Sequence, residues 1–168
     1  MKNTAAKHLR IAALLATAVV TAGPALAQTD SKEGSFDYVS CFSGTTRLMT
    51  FSKTNSAWTS EYSGTNRSEN AASPFDRTTF RCIAFVASRN GKPSGNSMCE
   101  TTDRDGDKYL THFNQVGDGT STREAVAGTG KFEGLITKGV SSPLGPFPSI
   151  DPGSIQNCVR QTGTYKMK

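Results

Sequence analysis

The sequence predicts an all-β protein, a single eight-stranded antiparallel barrel with two disulfides, and three observations predict it. The chain divides into short strand-like runs separated by turn residues, with no useful stretch of helical periodicity. The segment Gly128-Thr129-Gly130-Lys131-Phe132-Glu133-Gly134 spaces three glycines around one aromatic. That pattern marks a strand, a tight turn and a second strand, in which Gly128, Gly130 and Gly134 turn or pack closely while Phe132 plugs a core. Four cysteines, Cys41, Cys82, Cys99 and Cys158, fall where strand pairing can join them.

Residues 1–27 read as a cleaved signal peptide. Lys2, Lys7 and Arg10 form a basic start, 11–20 is an apolar run of ten, and Ala25-Leu26-Ala27 is a small-x-small cleavage site. The run is too short for a bilayer core, which needs about 20 apolar residues. No other stretch could span a membrane, so the mature protein is expected to be soluble and periplasmic or secreted. Residues 28–35 are polar and read as a disordered lead-in, and 36–168 as the barrel domain. Within it the expected strands are 36–51, 57–68, 78–89, 92–102, 108–116, 121–128, 131–138 and 156–167. Turn chemistry at Thr54-Asn55-Ser56, Asn90-Gly91, 103–107 and Gly117-Asp118-Gly119 separates them. The connection from 140 to 153 is rich in Pro and Gly and cannot be a central strand, because Pro143, Pro146 and Pro148 each lack a ladder donor. It reads as a lid or a surface loop across one barrel mouth.

Export takes the cysteines to a compartment where disulfides persist, and zinc would need close pairs such as C-x-x-C, which are absent. Asn90-Gly91 is the preferred pair for a two-residue type I′ hairpin. In such a hairpin facing residues have numbers that sum to 181, as 82 and 99 do. Cys82 therefore pairs with Cys99, and by elimination Cys41 pairs with Cys158, joining the first strand to the last. A meander of eight strands whose ends are so joined is better closed than open, since closure removes the exposed edges. Alternation turns Tyr109, Thr111 and Phe113, then Phe80, Cys82, Ala84 and Val86, then Trp58 and Tyr62 inward. Ile83 and Phe85 occupy the opposite face, which a neighbouring subunit or the terminal segments would cover.

With these residues placed, the chain resembles the allene oxide cyclase and dirigent group of lipocalin-like barrels, especially its small exported bacterial members. The likeness rests on Asp103-Arg104-Asp105-Gly106-Asp107-Lys108, the glycine segment 128–134 and the closing Thr162-Gly163-Thr164-Tyr165, and covers roughly 78–165. It implies an allene oxide cyclase-like barrel and a homo-oligomer, trimer or dimer. The family's catalytic residues have no counterparts here, so it implies a fold much more than a reaction.

Composition and motifs narrow the function. The signal carries three of the 19 Lys and Arg and none of the 14 acids, leaving the mature chain 16 against 14, a net of +2. Scattered charge of that size forms no basic stripe, which excludes nucleic acid as a partner. His112 is the single histidine after residue 27 and is expected to face outward, so a histidine metal site or a Ser/His/Asp triad lacks support. Asp103, Asp105 and Asp107 fail the calcium-loop spacing, which puts Gly at the sixth position and Glu at the twelfth, and read as an acidic hairpin turn. The glycine segment lacks the Gly-Lys-Ser/Thr ending and following helix of a phosphate loop. No metal and no cofactor are expected. Glu61, Glu100 and Glu133 read as solvated strand charges. The remaining candidates are apolar: Phe42, Trp58, Tyr62, Phe80, Tyr109 and Phe113 in the interior, with Leu144 and Phe147 over the mouth. They point to a small apolar or aromatic ligand. Two alternatives stay open: an isomerase or cyclase acting by steric confinement, and a ligandless structural or interaction protein.

Overall fold

The computed structural model describes residues 32–168 except 118 and 146; the expected signal peptide and most of the expected lead-in lie outside the described residues. Eight antiparallel strands form a closed barrel in chain order: β1 (Glu33–Thr50), β2 (Ser56–Arg67), β3 (Thr78–Arg89), β4 (Lys92–Thr102), β5 (Lys108–Val116), β6 (Ser121–Gly128), β7 (Ile136–Pro143) and β8 (Ser154–Lys166). β1 pairs with both β2 and β8, so no edge is left exposed. No helix among the described residues is long and apolar enough to cross a membrane.

The Asn90-Gly91 hairpin forms as its chemistry demands. Both residues have positive φ, +53° and +75°, the requirement of a type I′ turn. The β3–β4 register then runs unbroken from Arg89 opposite Lys92 to Thr79 opposite Thr102, and sets Cys82 opposite Cys99. Cys41 stands opposite Cys158 across β1 and β8, and both pairs are disulfides. The two bridges differ in place: Cys82 and Cys99 are buried inside the barrel, whereas Cys41 is exposed on its outer wall.

Three expected boundaries are corrected. β1 begins at Glu33, inside the stretch expected to be a disordered lead-in, because Glu33, Gly34 and Ser35 pair with Lys166, Tyr165 and Thr164. The strand expected at 131–138 is instead a short 3-10 helix, Gly130–Phe132, followed by β7. Gly130 and Gly134 adopt φ of +53° and +73°, which take the backbone out of the extended region between them and drop Phe132 into the core. In consequence β7 extends to Pro143 and takes in residues 140–143 of the supposed loop. Pro143 is the last residue of the strand, where a missing N–H does least harm to the ladder.

The core fills one end of the barrel. Phe36, Tyr38, Phe75, Tyr109, Phe132, Leu135, Tyr165 and Met167 form a single buried cluster. At its centre is Phe75, from the 68–77 connection, whose ring lies 5.3 Å from those of Phe36 and Tyr165 and 5.7 Å from those of Tyr38 and Tyr109. Gly139 and Gly163 face each other across β7 and β8, and a Cβ on Gly139 would meet the Phe36 ring at 2.8 Å. Phe36 thus lies across the pair of glycines, filling the space their absent side chains leave.

The acidic turn is built into this end. Asp103 accepts hydrogen bonds from the Asp105 and Asp107 backbone N–H groups, both at 2.9 Å, and pairs with Lys131. Asp107 accepts from the Lys131 N–H at 3.0 Å, so the β4–β5 turn is laced to the glycine segment. Burial pushes the Asp103 carboxyl upward, but its bonds from Lys131 and the two N–H groups win and hold it below the usual carboxylate range. Lys131 is correspondingly raised against its own partial burial. A lowered carboxyl stabilises the fold above its unfolded pKa of about 4, and that contribution is lost as pH falls through the folded value. Lys131 contributes below about pH 10.4, its unfolded value, and stops contributing above its folded one. Asp103→Asn should therefore have a lower urea midpoint than wild type at pH 7, with the gap narrowing at pH 3. An equal gap at the two pH values would show that the Asp103 charge does not hold the turn.

Candidate functional site

Above the plugged end, the barrel is hollow. A cavity of about 310 Å³ runs from the core cluster to the end where the 90–91 hairpin and the 144–153 connection lie. Its shape follows from alternation. On β1, β2 and β3 the even-numbered side chains point inward, and on β4 to β8 the odd-numbered ones, until a β-bulge on β6 shifts the phase and sets Gly128 opposite Tyr109.

Six of the eight expected ligand-facing residues line this cavity: Phe42, Trp58, Tyr62, Phe80, Tyr109 and Phe113. Phe42 and Tyr62 stack with centroids 4.5 Å apart, and Phe80 meets Phe42 edge-on at 6.3 Å. The stack is permitted by Gly64 opposite Phe42 and Gly44 opposite Tyr62. Trp58 is higher, beside Val86 near the mouth. Leu144 and Phe147 do not join the wall; both are about half exposed on the connection beyond β7. Gly128, Gly130 and Gly134 serve the plugged end instead. The Cys82–Cys99 disulfide forms part of the lining.

The wall is more polar than the aromatic pattern suggests. Ser40 donates to Asn66 at 2.6 Å, Asn66 donates to Thr78 at 2.8 Å, and Thr78 donates to the carbonyl of Phe75 at 3.2 Å. This chain of bonds ties the cavity wall to the plug. Across the barrel is Arg123, 3% exposed. It donates to the Tyr38 hydroxyl, and its guanidinium carbon lies 4.7 Å from the centre of the Phe36 ring. Among the described residues no carboxylate pairs with it, and its Nε has no acceptor.

The phenols of Tyr109 and Tyr62 are held protonated near neutral pH. Burial drives Tyr109 far up, with the nearby Tyr38 adding to the shift and Arg123 opposing it. Burial also raises Tyr62, against a smaller opposing effect of the Ser97 hydroxyl. Among the described residues that line the cavity there is no Asp, Glu, His or free thiol. His112 lies on the outer face as expected, its Nε2 2.9 Å from Asn96 Oδ1 and its Nδ1 3.5 Å from Glu124 Oε1. Glu61, Glu100 and Glu133 are outside too, paired with Arg81, Lys108 and Lys168.

Sequence reasoning missed Phe75 and Arg123. Phe75 sits in a polar connection with no periodicity around it, and its size is the one cue. Arg123 lies between Thr122 and Glu124 and reads as a solvated strand charge; its being in phase with Ala125 was the available signal.

The fold and cavity define a one-ended barrel, plugged by aromatic packing below and open above. No protein-family model, curated protein or solved structure matches the chain.

Proposed function

We propose that this is an exported binding protein of the allene oxide cyclase-like barrel kind that holds a small apolar or aromatic molecule in the open end of its barrel. The cavity carries the reading. Its volume of about 310 Å³ is at the lower limit of small-molecule pockets, and one wall stacks Phe42, Tyr62 and Phe80 around it. A merely structural barrel of this width is expected to fill its lumen with side chains, and this one fills only the plugged end. The two disulfides favour a periplasmic or extracellular location. A homo-oligomer, trimer or dimer, is supported by the outer face of β3 and β4, where Ile83 and Phe85 are 64% and 55% exposed beside Met98 and no described segment covers them.

The single tryptophan offers a direct test, because Trp58 is in the cavity wall. Mature protein exposed to a lipid and metabolite extract is expected to retain a small mass in native mass spectrometry, and the same species should shift Trp58 emission. A chain that keeps no added mass and shows no emission change across the extract fractions does not have this function. Replacing 144–153 by a Gly-Ser linker then tests the mouth connection as a lid: unchanged retention removes that role.

A further inference from the structure

We propose that the molecule bound in this cavity is a monocarboxylic acid, seated with its carboxylate on Arg123 and its apolar body among Phe42, Tyr62 and Trp58. The inference deepens the binding reading above and rests on it.

Arg123 is an inward residue of β6, opposite Phe113 on one side and Gly139 on the other. Gly139 leaves the space into which Phe36 folds, and the guanidinium lies over that ring, at 5.6 Å and 5.7 Å from the centres of Tyr38 and Phe113. The cation therefore rests on the floor of the cavity, on the cluster that plugs the barrel. Aromatic faces attract a cation but accept few hydrogen bonds, and guanidinium carries five N–H donors in a planar fork. One of these meets the Tyr38 hydroxyl; the buried Nε–H meets no acceptor.

Two other buried polar atoms on the same floor are also without partners: the Thr111 hydroxyl, and the Gln161 Oε1, an acceptor whose place N–H donors take if the amide is turned over. Gln161 stands directly opposite Tyr38 across β1 and β8, and Thr111 is two residues from Tyr109 on β5. Native interiors rarely leave several polar atoms unmatched in one place unless something else completes them. A buried cation with an unmet donor, a neutral hydroxyl beside it and no acid among the described residues that line the cavity is a set that lacks an anion. A carboxylate matches the fork bidentately. One unit of charge also fits better than two, because a dianion would leave surplus charge in a low-dielectric site. The gradient from this floor to the stacked rings and Trp58 above suits an amphipathic molecule bound head down.

The test uses matched acid and amide pairs with phenyl, indolyl and linear eight-carbon bodies, titrated against the mature protein by Trp58 emission and calorimetry. At least one acid is expected to bind ten-fold or more tightly than its own amide. The Arg123 Nε–H signal in 15N spectra should move with that acid and not with the amide. Arg123→Met should weaken the acid ten-fold or more and its amide by much less, bringing the two within about three-fold of each other. If that variant does not fold, the wild-type titrations and the Nε–H signal decide alone. Equal binding of acid and amide, or acid binding that leaves the Nε–H signal unmoved, overturns the carboxylate assignment and leaves the apolar binding reading standing. Failure of both members of every pair overturns the two together.

Discussion

Phe75→Ala is expected to destabilise the protein by about 4 kcal/mol, the cost of emptying a fully enclosed aromatic site. Phe75 is 0% exposed and contacts the rings of Phe36, Tyr38, Tyr109, Phe132 and Tyr165. Five ring neighbours on β1, β5, β8 and the glycine segment cannot collapse together into the void, because each is anchored on a different part of the barrel wall. The lost packing is a large share of the roughly 5–15 kcal/mol that holds a typical domain. For a domain of this size it corresponds to a melting temperature lower by about 15 °C. The matched control is Phe51→Ala. Phe51 is 87% exposed just past β1, and its removal should change stability by less than about 0.5 kcal/mol. A Phe75→Ala loss as small as the control's would mean that the plug is not part of the cooperative core.

Gly130→Val is expected to cost about 3 kcal/mol, against about 0.5 kcal/mol or less for His112→Ala. At φ of +53° a β-branched residue is strained by on the order of 1–3 kcal/mol. In addition, a Cβ on Gly130 would fall 1.8 Å from the Asp107 carboxylate. That carboxylate can swing away, but only by releasing the Lys131 N–H, a charge-assisted bond of about 1.5–3 kcal/mol. His112 by contrast lies on the outer wall, with partners that water can replace. Equal unfolding midpoints for wild type and Gly130→Val would remove the role assigned to the motif. In an Asp107→Ala background the same substitution should cost about 1 kcal/mol less, since there is no carboxylate left to displace.

The strands from Thr78 to Gly128 were legible to the residue, and the reason is local. Asn90-Gly91 admits one kind of hairpin, and period-two alternation then assigns every inward side chain on both sides of it. The β6–β7 region was legible only in part. Three glycines announce a departure from regular strand, but not its shape. Glycines at positive φ serve a two-residue turn and, as at Gly130 and Gly134, the two ends of a 3-10 departure, and the choice depends on Phe132 finding the space beside Phe75 and Tyr109. The mouth connection was overextended for a related reason. Prolines mark where a strand must stop, yet Val140 to Ser142 still have their N–H groups and pair with β8.

Residue order alone thus reveals the part of the molecule governed by near neighbours: strand alternation, the hairpin register, the cysteine pairing that follows from it, and the aromatic wall of the cavity. The tertiary structure alone decided which end of the barrel is plugged and what lies on the cavity floor. Those depend on closure, which brings β1 against β8 and folds the 68–77 connection under the strands. Arg123 reaches a hydroxyl 85 residues away, that of Tyr38, and lies on a ring that fills the space between two facing glycines. A charged residue flanked by Thr122 and Glu124 carries no local sign of such a place. Its burial is set by strands that meet only when the barrel closes.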